Sequence, residues 1–208
     1  MAFSKSTLQA DILTVFNNMG SNATNDDFAN GLSNAVVAFV RTGQVSTTDV
    51  GTVPGGAFSG GGTGTLSVTA TNCAKIIKDA CEEMNNMTSG GNNYLAEELG
   101  KAFKKMADEG TVTTTVTGTL TPPSPSPPIT PYGGSATGSI SCNSTAMVQA
   151  LKILFSNMYA HAGEDDYNGN LEFAKELATQ LNNFWTSGRI STSGEGNIEG
   201  SSGSGSIS

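Results

Sequence analysis

The sequence predicts an α+β fold: three tandem repeats of a helical hairpin followed by a Gly/Thr/Ser-rich extended β arm, with six helices gathered into a pseudo-threefold cluster. Three collinear observations predict it. First, "FVRTGQVSTT", "KMADEGTVTTT" and "FWTSGRISTS" place Gly43, Gly110 and Gly188 two residues before Val45, Val112 and Ile190. Second, "GTGTL", "ATGSI" and "GSGSI" close on Leu66, Ile140 and Ile207. Third, Ser6, Thr71 and Thr145 each open a stretch with the same apolar spacing. These anchors divide the chain into units 1–66, 67–140 and 141–208.

Each element follows from local chemistry. The first helix opens at "STLQ", where Ser6 and Gln9 have the capping-box form. Leu8, Ile12, Phe16 and Met19 then share one helical face. Cys73, Ile77, Cys81 and Met84 repeat it in the second unit, and Met147, Leu151, Phe155 and Met158 in the third. The second helices begin at "TNDDFANGL", "NNYLAEEL" and "NGNLEFA", whose Asn and Asp oxygens can cap free amides. Their apolar faces run Phe28, Leu32, Val36; Leu95, Leu99, Phe103; and Phe173, Leu177, Leu181. Gly43, Gly110 and Gly188 stand where a helix end favours a left-handed residue.

The arms come next. "TVTTTVTGTL" alternates Thr with Val, a strand signal. "PPSPSPPITP" reads as polyproline rather than a central strand, and "VPGGAFSGGG" takes its place in the first arm. Each arm is expected to run out and return, as between Val45 and Leu66. A lone helical pair would expose an apolar stripe. The units are therefore expected to bury their stripes on each other, in a closed cluster in preference to a short linear stack.

Composition narrows the function classes. The 208 residues carry a net charge of -8 with 10 basic residues and no basic stripe, so nucleic acid is not an expected partner. No apolar run is long enough to span a bilayer, and "MAFSKSTLQADILTVFNNMG" lacks a secretory pattern. No membrane partner is expected, and synthesis is placed in a cytoplasm.

The chemical motifs are weak. "GGGTGTL" before a helix could cradle a phosphate, but no P-loop lysine follows, and "SGSGSIS" repeats the motif with no helix behind it. The motif reads instead as the returning strand of each arm, where glycine permits close backbone approach. Cys73 and Cys81 fall on core positions; with Cys142 they form no CxxC and no zinc or disulfide framework. His161, the single histidine, reads as a loop residue after a helix. "EDDYNGN" from Glu164 through Asp166 hints at a calcium loop, but its twelfth position is Lys175 and its first is Glu, so it reads as a helix-capping segment. Glu97, Glu98, Lys101, Lys104 and Lys105 make a solvated face with Glu97 set to pair with Lys101. Trp185 aligns with Val40 and Ala107 and reads as packing. No catalytic, cofactor-binding or metal residue is assigned.

"FSKSTLQADI", "LSNAVVAFV" and "GGGTGTL" together give a unit that resembles small virion structural proteins of tailed bacteriophages, here in three copies across the whole chain. The resemblance implies a non-enzymatic structural assembly protein of the neck, tail, baseplate or capsid surface, assembled in a host cytoplasm. Its implied partners are other virion structural proteins and further copies of the chain itself, reached through extended arms. The alternative is a soluble, adhesin-like binding module, which would draw on the arm aromatics Phe58 and Tyr132.

Overall fold

A computed structural model describes residues 3–20, 22–164 and 167–208. Among them the order helix, helix, strand, strand runs three times. The first pass is α1 (Lys5–Asn17), α2 (Asn25–Thr42), β1 (Val45–Val53) and β2 (Gly56–Ser67). The second is α3 (Thr71–Met84), α4 (Gly91–Asp108), β3 (Thr111–Thr121) and β4 (Ile129–Ser141). The third is α5 (Thr145–Ala160), α6 (Gly169–Thr186), β5 (Arg189–Glu195) and β6 (Ser201–Ile207), with a 3-10 turn at Gly196–Ile198.

The strands overturn the expected architecture of helical hairpins carrying extended arms. The six strands close into one antiparallel barrel in the order β1-β2-β3-β4-β5-β6, β6 returning to β1. Roughly half of the chain is helix and a third strand. The physical reason is the edge problem. A free hairpin presents two rows of unpaired backbone N–H and C=O groups. Here β2 pairs with β3, β4 with β5 and β6 with β1, so each hairpin covers its neighbours' edges. The anchors seen in the sequence meet across these seams: Leu66 opposite Val112, Ile140 opposite Ile190, and Ile207 opposite Val45. All six of these side chains are buried.

The Gly-x-Leu/Ile motif belongs to the same seams. A Cβ on Gly64, Gly138 or Gly205 would run into the backbone carbonyl of Thr113, Ser191 or Ser46 on the adjoining strand. The motif is the contact that lets neighbouring hairpins close up, as a returning strand that needs close backbone approach.

The helices form a ring in chain order, each packed on the next, with α6 against α1. Helices α2, α4 and α6 also rest on β2, β4 and β6. Leu32, Leu99 and Leu177 are fully buried, as are Val36, Phe103 and Leu181 one turn on. Val40, Ala107 and Trp185 close the stack above the barrel, all at 0% exposure. Along the first helices Leu8, Cys73 and Met147 are buried, then Ile12, Ile77 and Leu151. Phe16 packs edge-on against Phe173, centroids 5.0 Å apart, joining α1 to α6.

Several local expectations are corrected. The first helix is capped by Ser4, whose hydroxyl accepts from the Thr7 amide at 3.3 Å, not by a box at Ser6. A full capping box instead opens α2, with Thr24 and Asp27 as its reciprocal partners. Asn168 caps α6, whereas α4 starts from Gly90 at φ +77 without a side-chain cap. Gly43 is extended (φ -70, ψ 147), and neither Gly110 nor Gly188 is left-handed. What glycine supplies there is clearance for side chains of the barrel rim. A Cβ on Gly43 would lie 2.8 Å from Ile207, and one on Gly188 2.6 Å from Ile140. The helix ends sit directly on the barrel's apolar rim.

The Pro-rich segment also differs from expectation. Residues 122–128 form the turn between β3 and β4, but Ile129, Thr130 and Pro131 join β4. Proline is tolerated there because β4 pairs with β5 only from Ser135 onward, so its first residues have one neighbouring strand. The β3–β4 register slips between Gly118 and Leu120 in the same region.

Candidate functional site: a sealed polar layer and an exposed rim

Strand period sets the barrel interior. From Val45 the inward residues of β1 are Thr47 and Asp49; from Val112 and Ile190 they are Thr114 and Thr192. Three layers result. Next to the helices lies the apolar plug of Val45, Leu66, Val112, Ile140, Ile190 and Ile207, which is continuous with the helical core. At the far end lies a second apolar cluster of Val53, Phe58, Val116, Leu120, Ala136 and Ile198. Between them sit Thr47, Thr114, Thr192 and Asp49, all buried.

Asp49 is the one charged side chain buried among the described residues, at 0% exposure. The Thr47 hydroxyl donates to Asp49 Oδ2 at 2.6 Å, and the Thr192 hydroxyl donates to Oδ1 at 3.2 Å. The Thr114 hydroxyl reaches the Ala136 carbonyl at 3.4 Å. Burying an ion costs roughly several kcal/mol even after relaxation. Two neutral hydroxyl donors offset part of that cost. Among the described residues no ammonium, guanidinium or imidazole is buried with the carboxylate. Glycine faces the group from both adjoining strands. A Cβ on Gly62 would lie 3.1 Å from Asp49 Oδ2 and 3.2 Å from Thr114 Oγ1, and one on Gly203 would collide with Asp49 Oδ1.

The sequence reading missed Asp49, although its signal was present. Once Val45 is core, strand alternation puts residues 47 and 49 on the same inner face. Val50, the next residue, is correspondingly half exposed.

The far rim is the barrel's open surface. It carries the tight Pro54–Gly55 turn with Gly55 at φ +99, the exposed run from Pro123 to Pro128, and Ile129 at 49% exposure. The arm aromatics do not lie on it. Phe58 is 3% exposed inside the barrel, and Tyr132 packs against it while its hydroxyl donates to the Asn197 carbonyl at 2.9 Å.

The other sequence candidates are scattered. Cys73 and Cys142 are buried, and burial pushes both thiols up to about 12. Cys81 is half-buried, its thiol also raised chiefly by burial. His161 follows α5, its Nδ1 2.8 Å from the Asn157 carbonyl and its ring stacked on Tyr167. Of the Glu164–Asp166 segment, Asp165 and Asp166 lie outside the described residues; Lys175 sits on α6 facing Glu172 at 3.8 Å. Glu97 pairs with Lys152 of α5 at 2.6 Å rather than with Lys101, which pairs with Glu98. The bond from Lys152 holds the Glu97 carboxyl below its usual range. Trp185 is fully buried. A groove of about 490 Å³ between α3, α4 and α5 is lined by Met84, Met87, Asn92, Lys152 and Tyr159, and its one amine, on Lys152, is already paired with Glu97. Among the described residues no three His, Cys, Asp or Glu side chains converge, and no helix is long and apolar enough to cross a membrane.

Comparison of the chain with protein-family models, curated proteins and solved structures found no match in any of the three.

Proposed function

We propose that this chain is a non-enzymatic structural assembly protein of a tailed-bacteriophage virion, holding its partner with the far rim of the barrel. The observation that carries the reading is the use of the Gly/Thr/Ser-rich sequence. It builds a closed barrel on a helical ring, and it leaves one exposed Pro-rich tip beside the apolar Ile129. A preformed proline-rich turn loses little chain entropy on docking, so it suits a contact surface. The reactive groups point the same way: two thiols are buried, and the charges near the helices are spent on exposed ion pairs such as Lys78–Asp26 and Lys104–Asp108. Units 1–66, 67–140 and 141–208 would let a single chain present three related hairpin turns to a symmetric partner. The adhesin-like alternative loses its support, because Phe58 and Tyr132 serve the barrel core.

The test is peptide mass spectrometry of gradient-purified particles from a phage whose genome encodes the chain. Co-purification at fixed stoichiometry is expected. A second arm replaces residues 123–128 by a short Gly-containing turn that leaves β4 whole. That variant should fold and fail to join particles. Recovery of the wild-type chain only in the soluble fraction would overturn the reading.

A further inference from the structure

We propose that the sealed polar layer of the barrel is a binding site for one alkali-metal cation, held by Asp49 and the hydroxyls of Thr47, Thr114 and Thr192. This stands independently of the virion reading.

The charge balance comes first. Asp49 is wholly buried between two apolar clusters, and no cationic side chain is buried with it among the described residues. A buried charge is ordinarily paired or bound to a metal ion. The donor inventory favours the cation. Among the described residues, the side-chain partners of Asp49 are hydroxyl oxygens, those of Thr47 and Thr192. A hydroxyl has one proton and two lone pairs. Thr47 and Thr192 each spend the proton on the carboxylate, so their lone pairs remain for a further electrophile. The Thr114 hydroxyl makes only a long bond at 3.4 Å, and its oxygen lies beside Gly62, as Asp49 Oδ2 does. The barrel carbonyls around the layer each keep a second lone pair beyond their ladder bond. The sum is a layer rich in hard oxygen acceptors with one net negative charge.

That donor set also selects the ion. Zinc and other softer metals prefer thiolate or imidazole. Calcium takes six to eight oxygens, several of them carboxylate, and this layer offers a single acid. One carboxylate with neutral oxygens balances one monovalent charge. The two glycines complete the arrangement, since a side chain at 62 or 203 would occupy the ground where these oxygens gather. With the plug on one side and the Phe58 cluster on the other, the ion would enter as the barrel closes and leave only when it opens.

The experiment uses the intact chain. It is unfolded in denaturant and refolded at equal ionic strength in sodium, potassium or choline chloride. Each sample is then desalted into choline buffer for elemental analysis by plasma mass spectrometry and for thermal melting. Retained sodium or potassium close to one per chain is expected, together with a Tm several degrees above that of protein refolded in choline. Asp49→Asn should lose both the metal and the dependence on the refolding salt. Should that variant not fold, Thr192→Val removes one oxygen at constant shape and should lower retention. Metal at the blank level with one Tm in all three salts overturns the proposal. So does retention that Asp49→Asn leaves unchanged. Stability that follows pH but not the identity of the cation means a proton neutralises Asp49, and also overturns it.

Discussion

Cys73 and Cys142 show how a single side chain records its position. Both are buried, and loss of hydration disfavours the thiolate, raising each thiol from its ordinary value of 9.0 to about 12. The sign of the pH effect follows. Below the unfolded value both states keep the proton and nothing changes. Between about 9 and 12 the unfolded chain releases protons that the folded chain holds, so stability falls as pH rises through that window. A thermal-melting series from pH 7 to 11 should show this decline, and replacing both residues by alanine should flatten it. Labelling gives a second readout. At pH 8 a thiol with that pKa is ionised in roughly one molecule in ten thousand. A thiol reagent should therefore modify half-buried Cys81 first and reach the other two only in denaturant; equal rates at all three would contradict the burial.

At the scale of elements, two substitutions separate the helix core from the barrel seams. Leu32 and Leu177 are fully buried at matching places on α2 and α6. Loss of leucine packing costs about 2–5 kcal/mol, and burial of an unpaired carboxylate adds to it. Against a typical stability of about 5–15 kcal/mol, Leu32→Asp or Leu177→Asp should abolish the cooperative melt. Leu171→Asp, at a position 38% exposed, should leave Tm within a few degrees. In the seams, Gly138→Val should prevent β4 from closing on β5, because its side chain meets the Ser191 backbone. Gly61→Ala is the control: its Cβ would lie 3.5 Å from the nearest atom, ordinary contact. Loss of the strand signal in circular dichroism for the first variant and not the second is the expected result.

Over the whole molecule, closure is the property that matters. The helical ring ends where it began, α6 on α1, and the barrel ends with β6 on β1. The seams differ in chemistry. Lys78 of α3 reaches Asp26 of α2, and Lys152 of α5 reaches Glu97 of α4, while α1 and α6 meet through Phe16 and Phe173. The exposed ion pairs contribute little to stability; the aromatic seam joins the first helix to the last. Because both layers satisfy themselves, the purified chain should run as a 21.2 kDa monomer by light scattering after size exclusion. A defined ring or larger multimer would show that faces of the fold are shared between chains. Removing residues 201–208 should open the barrel and lower the melt of the helices with it, since Ile207 caps the plug below Gly43.

The sequence by itself determined the threefold order of elements and the buried faces of the helices. Leu32, Leu99 and Leu177 are readable as one buried helical face because the helical period is a local property of the chain, and Val45, Val112 and Ile190 are readable as matching positions at the start of each arm. It determined the burial of Cys73 and the packing role of Trp185 in the same way, whereas Cys81, read as core beside Cys73, is only half-buried. Only the tertiary structure decided that the Gly/Thr/Ser-rich hairpins close on one another instead of extending. That outcome depends on backbone edges meeting across the seams, between residues as distant as Val45 and Ile207, and no local pattern encodes it. The same closure turned Gly43 and Gly188 from expected helix stops into clearances over the barrel rim. It also drew Thr47, Thr114 and Thr192, far apart in the chain, around Asp49. Each residue carried its chemistry in the sequence, but their meeting is a consequence of barrel geometry alone.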